Sequence, residues 1–192
     1  MKNSIIIMSL ILFAGSAIAQ HDHGAGHTSA PAHNKKETTH SHRAVPEFQV
    51  QLREVFAASL QLKDALVFSD VAKAAESVPQ LRVALSKVDL TLLKDEALMD
   101  WMGSLKILNE NLERIEKATD LALQRQAFSS FSDALYKSLK EFGAGGITVY
   151  YVQCPMANNN TGAHWLSNTK EIRNPYLGNE MLSCGKVKET IQ

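Results

Sequence analysis

Between Pro46 and Phe142 the apolar residues return every three or four positions, the spacing that keeps one face of an α-helix away from water. A first helix is expected over residues 46–68. Pro46 stands at its start, where a missing N–H is tolerated, and Leu52, Val55, Phe56, Leu62 and Leu66 fall to one side. Ser69-Asp70 reads as the cap of a second helix, along which Val71, Ala74, Val78, Leu81, Leu85 and Val88 alternate three and four apart. Pro79 lies inside it and is expected to kink or split it near Val78. A third helix, from Thr91 or Asp95 to Thr119, carries Leu98, Trp101 or Met102, Leu105, Leu108, Leu112 and Ile115. A fourth follows Asp120 and aligns Phe128, Phe131, Leu135, Leu139 and Phe142, after which Gly143-Ala144-Gly145-Gly146 stops it.

Beyond the glycines the pattern changes. Ile147 to Val152 is β-branched and aromatic, so it predicts a strand that delivers Cys154 at its end. Residues 158–162 and 174–178 are rich in Asn, Gly and Pro and predict turns. The expected fold is therefore mainly α: an antiparallel four-helix bundle over 46–142, then a small irregular Cys/Met-containing subdomain over 143–192 with short β structure and at most one short hairpin. Trp165, Ile172 and Tyr176 are its expected contacts with the helices, and Trp101, Met99 and Met102 are read as packing residues of the bundle.

Upstream of the helices, two segments lack this periodicity. Residues 1–19 have Lys2, an apolar run from Ile5 to Ala14 and a small-residue end at Ala17-Ile18-Ala19, the layout of a secretory signal peptide cleaved before Gln20. The mature chain is then expected to be periplasmic or secreted, without membrane insertion. Residues 20–45 hold six of the seven histidines, His21, His23, His27, His33, His40 and His42, among Gly, Ser, Thr and Ala. Such a composition predicts a disordered tail whose imidazoles form a weak, secondary site for Cu(II) or Zn(II). Cleavage after Gln20 instead would leave His21-Asp22-His23 at the mature end, an arrangement suited to square-planar Cu(II).

Charge adds little. Twenty acidic and twenty basic residues cancel, so there is no electrostatic footprint for nucleic acid. The bundle segment has no histidine or cysteine and no Glu-x-x-His pair for a di-iron site. The chain has no haem-attachment motif and no phosphate-cradling loop, and it is read as a non-enzyme.

The candidate chemistry lies between Cys154 and Gly185. Two compact sulfur pairs, Cys154-Pro155-Met156 and Met181-Leu182-Ser183-Cys184, flank a punctuated loop. Brought together, two thiolates and two thioethers select Cu(I) over hard cations, whereas imidazole and thiolate together also suit Zn(II), with His164 in the loop a candidate fifth donor or a replacement for one methionine. The plain alternative is a single disulfide in an exported protein, worth about 3 to 4 kcal/mol for a loop of roughly thirty residues. The two are compatible, since a dithiol can hold metal when reduced and bridge when oxidised.

The same stretch carries a resemblance. The ordered motifs at Cys154 to Asn158 (CPMAN), Gly162 to Ser167 (GAHWLS), Glu171 to Tyr176 (EIRNPY) and Met181 to Gly185 (MLSCG) resemble a family of periplasmic domains of unknown function, found alone or fused to the adaptor subunits of heavy-metal efflux pumps. His164 and Leu177 depart from its pattern, which more often has an aromatic residue and Phe there. The resemblance implies a copper or heavy-metal connection at Cys154, Met156, Met181 and Cys184. The expected function is a periplasmic copper-binding protein that buffers Cu ions or hands them to the periplasmic subunit of an efflux pump. The alternative is a non-metal interaction module, stapled by a Cys154–Cys184 disulfide, that docks on an efflux adaptor or envelope partner.

Overall fold

A computed structural model describes residues 44–192, which belong to one compact unit. The expected signal segment 1–19 and the tail residues His21, His23, His27, His33, His40 and His42 lie outside the described residues.

Four substantial helices follow one another: α1 (Pro46–Val67), α2 (Val71–Ser86), α3 (Asp95–Lys117) and α4 (Leu121–Phe142). Their starts are chemically marked. The Asp70 carboxylate accepts from the Lys73 amide at 2.9 Å, and Asp120 does the same for Leu123 at 2.9 Å, caps that typically stabilise by about 1 kcal/mol each. Gly143 ends α4 with φ 100°, a conformation that side chains disfavour. Pro79 does not split α2, which runs unbroken past it. The loss is confined to one helical bond, because Pro79 has no N–H to offer the Ala75 carbonyl.

The apolar stripes meet as expected. Leu52, Val55, Phe56, Leu62 and Leu66 of α1 are buried, as are Phe128, Phe131, Leu135, Leu139 and Phe142 of α4. Phe48, Trp101 and Phe142 interlock edge-on, with ring centroids 5.1 to 6.2 Å apart, tying α1, α3 and α4 together. Trp101 takes the inward position on α3, in line with Leu108, Leu112 and Ile115. Met102 is a helical step of about 100° away and Met99 lies two residues back, so both turn outward, 43% and 72% exposed. The two methionines are surface residues of α3 and not packing residues.

The C-terminal part is more regular than its sequence implies. Strands β1 (Val149–Cys154), β2 (Ala163–Ser167) and β3 (Lys186–Ile191) form an antiparallel sheet in the order β2-β1-β3. The third strand was not foreseen: its KVKETI sequence puts charges outward at Lys186 and Lys188, and the pairing with β1 shifts register between Tyr151 and Val152. One sheet face lies on α4, where Tyr136 stacks on Tyr151 at 3.7 Å and its hydroxyl donates to Glu189 at 2.7 Å, while Lys140 pairs with the same carboxylate. Tyr176 meets Phe128 of α4 at 5.8 Å and Trp165 at 6.1 Å. Among the described residues no helix is long and apolar enough to cross a membrane.

Candidate metal centre

The two cysteines of the sulfur pairs meet. Cys154 sits at the end of β1 and is fully buried, while Cys184 sits just before β3 and is partly exposed. Because β3 pairs with β1, the chain returns Cys184 to the strand end it left thirty residues earlier, and the sulfurs lie 2.8 Å apart as free thiols. A disulfide bond is about 2.05 Å long, so closure needs a movement of about 0.8 Å. Two thiolates on one tetrahedral ion, at about 2.3 Å each, sit about 3.8 Å apart, so a chelate needs them to spread by about 1 Å.

Met156 stands on the turn that follows Cys154, and Met181 on the turn that leads to Cys184. The Met156 amide hydrogen-bonds the Cys184 sulfur, and the Cys184 amide donates to the Met181 carbonyl at 3.0 Å. The two methionines are 44% and 39% exposed, so neither is a buried packing residue. The Cys184 thiol is held above its ordinary value, first by its hydrogen bond with Cys154, then by burial and the charge Cys154 would carry. The Met156 N–H pulls the other way.

His164 is not brought to the sulfurs. Cys154 pairs with Ala163, and successive strand residues point to opposite faces, so the imidazole lies on the far side of the sheet. There it stacks on Tyr151 at 4.8 Å and approaches the Asp133 carboxylate at 3.7 Å. Asp133 is raised above the ordinary carboxylate range by burial, against the opposing pull of His164 and the Tyr151 hydroxyl. Among the described residues no group of three or more His, Cys, Asp and Glu side chains is placed to hold a metal ion, so a centre here depends on its thioethers.

Three supporting residues carry no chemistry visible in the sequence. Asn174 is fully buried: its Nδ2 donates to the Cys184 carbonyl at 2.7 Å, and its Oδ1 accepts from the Tyr176 and Leu177 amides at 2.8 and 3.0 Å. Gly185, with φ 147°, leaves room for Trp165, whose ring would lie 2.7 Å from an added Cβ. Arg125 of α4 fastens the loop to the helices, with Nε donating to the Pro175 carbonyl at 2.8 Å and Nη2 to the Leu66 carbonyl at 3.2 Å. Only the Asn-Pro turn signal at 174–175 hinted at any of them.

The loop between β1 and β2 is unusual. After Met156, three asparagines occupy the left-handed region, Asn158 at φ 50°, Asn159 at φ 55° and Asn160 at φ 66°. Residues other than Gly visit this region mostly singly, and Asn is among those that tolerate it best. Gly162, at φ 87°, completes the reversal that starts β2. A groove beside this loop is lined by Met156, Leu123, Arg125, Asn158 and Tyr176.

Residues 55–146 match a family described as protein of unknown function (DUF3347). The match covers most of α1, all of α2, α3 and α4, and ends before Cys154. It therefore concerns the helical scaffold and does not reach the sulfur residues. No curated protein and no solved structure matches the chain.

Proposed function

We propose that this is a periplasmic copper-binding protein, in which an antiparallel four-helix bundle carries a C-terminal lobe that holds Cu(I) and hands it to an efflux system. The observation that carries this reading is the meeting of Cys154 and Cys184 at 2.8 Å, with Met156 and Met181 exposed on the adjoining turns. Two thiolates would grip the ion, and two thioethers, which bind Cu(I) without a proton to lose, would provide the step by which it leaves. A partly exposed Cys184 suits ligand exchange with an acceptor, for which the periplasmic subunit of a heavy-metal efflux pump is the expected candidate. The signal-like layout of residues 1–19 supports export, and the tail histidines would gather Cu(II) or Zn(II) loosely.

The test is a Cu(I) titration of the reduced full chain against a competing chelator, compared with C154S/C184S. Substitutions around metal ligands already cost 10- to 100-fold, so losing both thiols should weaken Cu(I) binding by more than about 100-fold. Unchanged affinity would sink the site.

A second reading is favoured by the sulfur separation itself, which lies closer to a bond than to a chelate. In that reading Cys154–Cys184 is a structural disulfide that steadies a docking lobe for an adaptor or envelope partner. It predicts no Cu(I) binding by the reduced lobe and a bridge that resists mild reduction.

A further inference from the structure

We infer that the Cys154–Cys184 pair is a cupric reductant: it supplies two electrons to two Cu(II) ions, closes to a disulfide, and leaves the Cu(I) product beside the thioethers of Met156 and Met181. This deepens the copper reading and rests on it. The balanced step is two thiols plus two Cu(II) giving one disulfide, two Cu(I) and two protons released to solvent. The S–H bonds break, one S–S bond forms, the sulfurs are oxidised and the metal is reduced.

Four features of the lobe carry it. The sulfurs are free thiols 2.8 Å apart, so the bond forms with a shift of about 0.8 Å and no rearrangement of the sheet. Copper takes one electron at a time, and a lone thiol would be left as a radical. Here the sulfur radical formed at one cysteine is already in contact with its partner, which captures it before the second Cu(II) removes the remaining electron. Access is unequal: Cys154 is sealed at the end of β1, whereas Cys184 is partly exposed on the turn from Met181 to Gly185. An ion therefore meets Cys184 first, and the turn rather than the strand moves to close the bond.

The fourth feature is the fate of the product. Once the disulfide forms, the thiolates are gone, and the sulfur donors left on the adjoining turns are Met156 and Met181, 44% and 39% exposed. Thioethers prefer Cu(I) to Cu(II), so they retain one of the two reduced ions and not an incoming Cu(II), while the other Cu(I) leaves to an acceptor or to solvent. Their grip is weaker than that of thiolates, which makes the ion available to an acceptor. The same residues thus form a tight four-sulfur site while reduced and a looser two-sulfur site after turnover. A disulfide reductant of the thiol-exchange class would reset the pair.

The experiment mixes reduced full-length protein, without oxygen or chelator, with two equivalents of Cu(II) sulfate. The Cu(II) electron-spin signal is followed while free thiols and intact mass are measured. The expected result is loss of the signal from both equivalents, a fall from two free thiols per chain to none, a mass lower by two hydrogens, and no covalent dimer. C154S/C184S, which keeps all seven histidines, should retain the Cu(II) signal. M156L/M181L should release to the solvent the Cu(I) that the wild-type protein retains. A persistent Cu(II) signal with both thiols intact, or thiol loss through intermolecular dimers, would overturn the inference. Failure of the wild-type protein to retain Cu(I) added directly would instead contradict the binding reading, whatever happens to Cu(II).

Discussion

Replacing Asn174 by alanine removes the one side chain that fixes Cys184 from behind. Three hydrogen bonds are lost together, to the Cys184 carbonyl at 2.7 Å and from the Tyr176 and Leu177 amides at 2.8 and 3.0 Å. Each is worth roughly 0.5 to 1.5 kcal/mol net, and the site is fully buried, so water can replace them only by entering the small void left behind. A destabilisation of about 3 kcal/mol follows, of the order of a quarter to a half of a typical domain's stability. Urea unfolding of the reduced protein, followed by tryptophan fluorescence, reads it as a lower midpoint at unchanged slope. The same variant should close its disulfide more slowly, since Cys184 is no longer held against Cys154. Asn174→Asp keeps the acceptor for both amides but turns a second oxygen toward the Cys184 carbonyl. That favours the protonated acid in the folded state, so its stability relative to the wild type should recover as the pH falls toward about 4. An N174A protein within about 0.5 kcal/mol of the wild type would refute the assignment of Asn174 as the anchor of the site.

On α3, Trp101→Ala should cost about 3 to 5 kcal/mol in chemical denaturation, because it empties the space between Phe48 and Phe142, whereas Met99→Gln on the exposed side should stay within about 0.5 kcal/mol. Gly145→Ala should lower the thermal midpoint, because φ is 64° and the new Cβ would lie 2.6 Å from the Gln49 carbonyl oxygen, a backbone atom that cannot swing away. Its strain alone is about 1 to 3 kcal/mol. Glu189 is held below its ordinary carboxylate value, first by its hydrogen bond from Lys140 and also by Tyr136, with burial opposing. A lowered folded value means stability present above the unfolded value of about 4.5 and lost as the pH falls through the folded one. The stability difference between wild type and Glu189→Gln, measured by urea unfolding across pH, should therefore be present at pH 7 and vanish on acidification below that range.

The helices were legible because their signals are local. Asp70 and Asp120 are caps three residues from the amides they serve, and one-sided burial repeats along each helix independently of its partners. Even so, the period does not fix which of two neighbours on a stripe turns inward, and Trp101 and Met102 are separated only by the packing against Phe48 and Phe142. The sheet was half legible: β1 is a run of β-branched and aromatic residues, but β3 is polar and gains its identity from pairing with residues more than thirty positions away. For the same reason the sequence could group Cys154, Met156, Met181 and Cys184 by chemistry but could not separate them from His164. The face that His164 occupies follows from the register opposite Gln153. Asn174 was invisible as a site residue because its three bonds converge only after the turn, the strand end and Cys184 are assembled.

If copper is held as proposed, its donors are the sulfurs of the Cys154–Cys184 lobe. The most direct test is X-ray absorption of the reduced full-length protein loaded without oxygen with one equivalent of Cu(I). The expected spectrum shows a copper shell of sulfur alone, which loses scatterers in M156L/M181L and is replaced by light atoms in C154S/C184S. A nitrogen shell in the wild-type protein, unchanged by any of these substitutions, would mean that histidines hold the metal and would contradict the proposal.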